Sequence, residues 1–199
     1  MSPLLLYDIT IGGADTRVGI FGCTLLPSSP TEALLSTGQK IADEEKVTLQ
    51  LVNAERIASP LHLLFSTHHA LRAFHTRTQR AKTIGMEILR FAAAQRQIAR
   101  ALELLGVSSS TIHVGGVLLG QSHEKLQNIY SKLLTQIGAE DTPQVLEIVN
   151  STKAKSIQRA FNINAAELNA VTISKDLIGQ YSAIAKLVYE RCALLSLEK

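Results

Sequence analysis

A chain of 199 residues suffices for one domain with a proper core and is short for two. Hydrophobic residues make up 46 % and charged residues 19 %, with 12 Gly and 5 Pro, which excludes disorder, collagen and low-complexity architecture. Net charge is only +3, but its distribution is uneven.

In chain order, Leu4–Thr10 and Arg17–Leu26 read as two strands of a hairpin, with turn chemistry in Gly12-Gly13-Ala14-Asp15. Pro27-Ser28-Ser29-Pro30 breaks the second strand, and Thr31 is placed to cap a helix through Ala42 on the spacing of Glu32, Leu35 and Ile41. Val47–Val52 alternates as a third strand. Ser59-Pro60 is a helix-start signal. A second helix is expected over Thr83–Ala94 and a third from Gln95 or Arg96 to Leu105, with a stripe of Ile98, Ala101, Leu102 and Leu105 and a left-handed stop at Gly106. Thr111–Leu119 returns to strand pattern, 122–137 is helical, 138–174 reads as short helices and loops, and Lys175–Glu198 as a long amphipathic helix. The class is α/β: one domain over 1–199, a small mixed sheet covered by several helices.

Residues 56–100 hold Arg56, Arg72, Arg77, Arg80, Lys82, Arg90, Arg96 and Arg100 against a single acid, Glu87. That segment carries +7 and the rest of the chain −4. A basic block in an otherwise acidic protein matters for an anionic partner. Arginine supplies seven of the eight cations, and arginine suits bidentate phosphate contact and stacking on bases. Phe65, Phe74, Phe91 and Ile98 are interleaved with them, either as core or as apolar contacts for unpaired bases. With no Trp and 5 % aromatics, a nucleic-acid site here would be compact and recognise an end or a loop. Arg77, Arg80 and Lys82 precede the second helix near its positive end. Arg96 and Arg100 are expected four apart on one face of the third helix, the two groups lining one groove at the Ala94–Gln95 junction.

Other chemistry finds little support. The glycines of 115, 116 and 120 are not followed by a phosphate-loop lysine, and neither a dinucleotide fingerprint nor a nucleophile elbow occurs. Cys23 and Cys192 make no metal or redox spacing and read as buried small hydrophobes. His62, His68, His69 and His75 cluster, but without helical ligand spacing and with no acid between Glu55 and Glu87. One of them in a helix-packing hydrogen bond, with the others on the surface, accounts for them better than a metal, and some would join the basic surface at low pH. No cofactor, metal or catalytic residue is expected. On the last helix Ile184, Leu187, Val188, Leu194 and Leu195 form a core stripe with Arg191 inside it, its stem packed and its guanidinium snorkelling or paired with an acid. Ile178, Ala185 and Tyr189 widen the apolar arc, which suits either a partner-binding face or a larger core contact.

The segments Ile57-Ala-Ser-Pro-Leu-His-Leu63, His69-Ala-Leu-Arg-Ala73, Glu87-Ile-Leu89, Arg96-Gln97-Ile98 with Ala101, Gly106-Val107 and Glu190-Arg-Cys-Ala-Leu-Leu195 occur in the order of a known family. The chain resembles, over roughly 47–199, the kinase-binding subunit of the KEOPS tRNA-modification complex, the TPRKB-type (CGI-type) protein in its archaeal-like form. The resemblance implies a non-catalytic α/β subunit that binds and stimulates the complex's small atypical kinase/ATPase (PRPK-type) and meets the remaining KEOPS subunits indirectly. It also implies recruitment of tRNA by its 3′ CCA end for threonylcarbamoylation of the adenosine beside the anticodon. By position, Arg96, Gln97 and Ile98, with the basic residues just upstream, become the candidates for the CCA contact. Together with the basic-block argument, the RNA-binding set is Arg77, Arg80, Lys82, Arg96, Gln97, Ile98 and Arg100. A cytoplasmic protein (also nuclear if eukaryotic) without membrane association is expected. The alternative is a protein-interaction module that binds a partner through its C-terminal helix and has no RNA role.

Overall fold

Gly12 and Gly13, with φ of 58° and 82°, reverse the chain between β1 (Leu5–Ile11) and β2 (Ala14–Leu25). Two successive left-handed residues give a two-residue turn whose twist matches that of the strands. The computed structural model describes residues 4–26, 31–174 and 176–197. The break expected at Pro27–Pro30 and the ends of the last predicted helix, Lys175 and Glu198, lie outside them.

β2 is the spine of the sheet. One edge pairs first with β1 and then, over Cys23–Leu25, with β5 (Ala139–Asp141), a short strand that the sequence reading assigned to loops. The other edge pairs with β4 (His113–Gly120), which pairs in turn with β3 (Thr48–Asn53). The order is β1-β2-β4-β3, and every pairing is antiparallel.

Strand alternation sorts the side chains into two cores. Val18, Ile20, Val52, Val117 and Leu119 face α2 (Pro60–His75) and α3 (Ile84–Ala92), while Phe21, Cys23, Leu51, Val114 and Leu118 face α1 (Thr31–Glu45) and α5 (His123–Ile137). The glycine pair of β4 serves this packing. A Cβ on Gly116 would lie 2.1 Å from the ring of Phe21, its register partner, and one on Gly115 would lie 2.9 Å from Leu146. Phe21 in turn packs on Tyr130 at 4.7 Å between centroids.

Helices α4 (Ile98–Leu105), α6 (Ser151–Ala160), α7 (Ala165–Val171) and α8 (Leu177–Leu195) complete the chain. α8 crosses α2 and α3 and, with α6, forms a third cluster around Ile157, Phe161, Leu187, Val188 and Cys192. Among the described residues no helix is long and apolar enough to cross a membrane.

Several boundaries differ from expectation for identifiable reasons. Thr31 is the first residue of α1 rather than the residue before it, and Leu34, not Leu35, faces the core. α4 starts at Ile98 with Gln97 as its cap, so Arg96 precedes the helix and does not share a helical face with Arg100. Ala94, with φ of 49°, has already turned the chain out of α3. Gly106 is extended (φ −64°), and its lack of a Cβ is needed because Leu102 O would lie 2.4 Å from one. Leu102 and Leu194, expected in core stripes, are 47 % and 45 % exposed; each stripe is narrower because its neighbour covers only one flank.

Polar caps open the helices, and the Ser59-Pro60 start signal is met. Ser59 Oγ takes the N–H of His62 with Pro60 in the first turn, Thr83 caps α3, Ser122 caps α5, and Gly138 (φ 61°) ends α5 left-handed. His62 then ties two helices together. Its buried ring donates through Nε2 to Ala92 O (2.8 Å) at the end of α3 and accepts at Nδ1 from Ala58 N (3.3 Å). Burial pulls its pKa down to about 4. The unfolded chain binds this proton below pH 6.5 and the folded protein only below about 4, so stability rises with pH across that window. Acidification from pH 7 to 4 should cost on the order of 3 kcal/mol through this group, read by urea denaturation at each pH. His62→Gln should flatten the slope, and an unchanged slope in that variant would assign it to other groups.

Candidate nucleic-acid interface

Glu87, the one acid of the basic block, is fully buried. Its Oε1 accepts from Arg90 Nη2 (2.6 Å), and its Oε2 from Arg90 Nε (3.1 Å) and from the backbone N–H groups of Ala81 (2.9 Å) and Arg80 (3.3 Å). The carboxylate therefore holds the loop between α2 and α3 from beneath, and the side chains of Arg77, Arg80 and Lys82 are left at the surface. Thr83 Oγ1 takes the N–H of Met86, so the positive end of α3 is partly answered within the protein. Arg90, only 3 % exposed, lies with its guanidinium 4.5 Å from the centroid of Phe91.

Two clefts open beside this pair. The first, about 590 Å³, is lined by His69, Arg72, Arg80, Arg90 and Phe91, with Leu195–Leu197 of the α8 end as its far wall. His69 stacks on Phe91 at 5.4 Å, and its buried Nδ1 has no hydrogen-bond partner among the described residues. Burial, then the charges of His68 and Arg72, holds its pKa below the usual imidazole value. The second cleft, about 470 Å³, is lined by Ala94, Gln95, Arg96, Gln97, Arg100 and Arg191, with Leu194 and Leu195 opposite. Arg100 pairs with Glu103 (2.7 Å) and Arg191 with Glu167 (2.6 Å), as a stripe arginine paired with an acid requires. Leu195 borders both clefts.

The predicted RNA-binding residues are thus divided. Arg80 lines the first cleft, and Arg96, Gln97 and Arg100 line the second. Arg77, Lys82 and half-buried Ile98 line neither. The expected single groove at Ala94–Gln95 is two clefts meeting at Leu195. Arg72, Arg90, His69, Phe91 and Arg191 were absent from the predicted set, although the three-residue spacing of His69 and Arg72 on α2 already put them on one face.

The expected partner residues of α8 do not share one exposed flank. Ala185 is buried in the third cluster, Tyr189 is half-buried, and Ile178 is 79 % exposed. Tyr189 packs on Phe65 (5.2 Å) and lies with its hydroxyl 2.5 Å from Ser59 Oγ. Beside Tyr189 the exposed apolar side chains are those of α2, Leu61 at 44 % and Phe65 at 43 % exposure, one helical turn apart, while α8 exposes Leu177 and Ile178 at its start.

The histidines do not converge: His62 is internal, His68 meets His69 edge to face, and the ring of His75 lies against Gly12. Among the described residues no group of three His, Cys, Asp or Glu is arranged to hold a metal. Cys23 and Cys192 are buried, and that burial pushes both thiols up to about 12, which leaves them protonated and unreactive.

The structure is a single α/β domain, an antiparallel sheet between helical layers, with an arginine-lined helical surface where α2, α3, α4 and α8 meet. The family described as kinase binding protein CGI-121 matches residues 31–196, and the chain belongs to it. The regulatory protein Cgi121 of Methanocaldococcus jannaschii is 29 % identical over 150 residues, covering 75 % of this chain and 84 % of that protein. The family resemblance carried by the sequence motifs is confirmed.

Removing the charge of Glu87 tests how the surface is held. Glu87→Gln leaves Arg90 buried without a counter-charge and should cost about 3 kcal/mol, the usual loss for one partner of a buried pair, measured by chemical denaturation. Limited trypsin digestion of the folded variant should also speed up at Arg77, Arg80 and Lys82 and not elsewhere. Unchanged cleavage there would separate the ion pair from the loop.

Proposed function

We propose that this protein is a non-catalytic regulatory subunit of a KEOPS-type assembly in the cytoplasm, which binds and stimulates the assembly's atypical kinase/ATPase and recruits tRNA by its unpaired 3′ CCA end for threonylcarbamoylation of the adenosine beside the anticodon. The observation that carries the RNA reading is the pair of arginine-lined clefts joined at Leu195, with His69 and Phe91 on one wall. Clefts of this size admit one or two unstacked nucleotides each. Guanidinium groups meet their phosphates, and the stacked His69–Phe91 pair offers a flat face for a base. A broad stacking platform for a long single strand is absent from the described surface, which favours an end over an internal segment.

Membership of a kinase-binding family supports the kinase partner. The apolar outer face of α2, Leu61 and Phe65 backed by Tyr189, is the surface we assign to it, beside the clefts but separate from their linings. Such a division would let one small subunit hold a kinase and present an RNA end at once.

Binding of tRNA with and without its terminal CCA, at two salt concentrations, tests the RNA reading. Loss of CCA should weaken binding, Arg96→Glu should weaken the intact tRNA by tenfold or more, and both effects should shrink at high salt. Equal binding of the two tRNAs would refute recognition of the end. Absence of tRNA binding, with the kinase still captured, would leave the protein-interaction module. For the kinase surface, Phe65→Glu should reduce co-purification of the kinase by at least tenfold, as loss of a central aromatic anchor does, and leave tRNA affinity unchanged. Kinase capture unaffected by this change would move the docking face elsewhere.

A further inference from the structure

A third cleft, about 560 Å³, lies one turn farther along α4 than the second and is lined by Arg56, Leu104, Thr152, Lys155, Ser156, Arg159 and Ala160. It contains three cations and two hydroxyls, and no carboxylate. We propose that this cleft binds the sugar–phosphate backbone of the RNA whose unpaired end occupies the two clefts at Leu195. The proposal rests on the RNA reading above.

The charges of the third cleft are the least neutralised of the three. In the first cleft Arg90 is spent on Glu87, and in the second Arg100 and Arg191 are paired with Glu103 and Glu167. Lys155 and Arg159 are exposed and make no ion pair or side-chain hydrogen bond among the described residues. The acids nearest in sequence are engaged elsewhere. Glu55 reaches His113 (3.8 Å), and Glu103 reaches Arg100 (2.7 Å).

Arg56 is fixed in place. Its Nη1 donates to Leu104 O (2.5 Å) and Glu103 O (3.3 Å), the carbonyls at the C-terminal end of α4. The guanidinium is thereby oriented before any ligand arrives, which lowers the ordering cost of binding. Lys155 and Arg159, four residues apart on α6, present two cations on one helix face. An apolar contact is supplied only by Leu104 and Ala160, so the lining suits a polyanion and not an apolar peptide.

Position links this cleft to the others. Arg100 lines the second cleft and Leu104 the third, four residues apart on α4. That separation is about 6 Å along the helix axis, comparable to the repeat of a nucleic-acid backbone, so a strand leaving the second cleft over α4 meets the third within about one nucleotide. Arginine and lysine with serine and threonine hydroxyls are the groups that contact phosphate and sugar without reading base identity. The third cleft would therefore add affinity and salt dependence without sequence preference.

The test compares three RNA probes on the full chain: intact tRNA, the same tRNA without CCA, and a short strand that is the trinucleotide CCA alone. Lys155→Ala/Arg159→Ala changes two exposed residues, and its melting temperature serves as the folding control. For the variant, affinity for both tRNAs should fall about tenfold near physiological salt. The slope of log affinity against log salt should drop by about 2, one for each lost phosphate contact, and binding of the short strand should be unchanged. Unchanged tRNA affinity and slope in a folded variant would overturn the proposal. So would loss of kinase capture in place of tRNA binding, which would make the cleft a protein surface. Failure of the wild-type protein to distinguish CCA, with the slope change still present, would instead remove the end-recognition reading and leave the third cleft as the principal RNA contact.

Discussion

The buried pair of Glu87 and Arg90 organises the functional surface. It takes the only acid of the basic segment out of contact with solvent, so the surface there keeps its positive charge undiluted. The same carboxylate receives two backbone N–H groups of the preceding loop, which fixes where Arg80 projects. Replacing such a pair by apolar residues of similar volume often leaves stability unchanged or improves it, whereas removing one partner is expensive. Its value here lies in placement. An apolar pair would pack as well but would hold neither the loop nor a guanidinium over Phe91.

Around that pair, the sheet and α8 act as fixed walls. The antiparallel sheet seats α2 and α3 through one face, and the glycine pair of β4 allows close packing on both faces, Gly115 under Leu146 on that side and Gly116 under Phe21 on the other. α8 then lies across both helices, held by Leu187, Val188 and Cys192 below and by the Arg191–Glu167 bond at its flank. Its last turn supplies Leu194 and Leu195, the wall that both clefts share. Arg191 therefore has two roles: it ends a salt bridge that anchors α7 to α8, and it contributes charge to the second cleft.

Much of the fold was legible locally. The Gly-Gly turn, the Ser59-Pro60 start, the helices near Thr83 and Ser122 and the strand patterns of β3 and β4 depend on residues only a few positions apart, so short-range signals were enough. β5 was missed because three residues carry no readable period and pair only through Cys23–Leu25, more than a hundred positions away. Arg96 was placed in a helix because its spacing to Arg100 is helical, yet the left-handed turn at Ala94 and the cap at Gln97 keep it outside. Leu102 and Leu194 fit their stripes by period but face solvent, because the neighbouring helix covers a narrower arc than the pattern allows.

By itself the sequence determined the α/β class, the concentration of positive charge in 56–100, the inertness expected of the two cysteines and the motifs that mark the family. These follow from composition and from local order along the chain. Tertiary structure alone decided which of the eight cations are spent inside the protein. It put others into separate clefts, left Arg77 and Lys82 in none of them, and brought in Arg191 from α8 and Lys155 and Arg159 from α6 beside them. The physical reason is that a charge acts through its distance and its desolvation, and both are set by which helices pack together, which no local run of residues encodes.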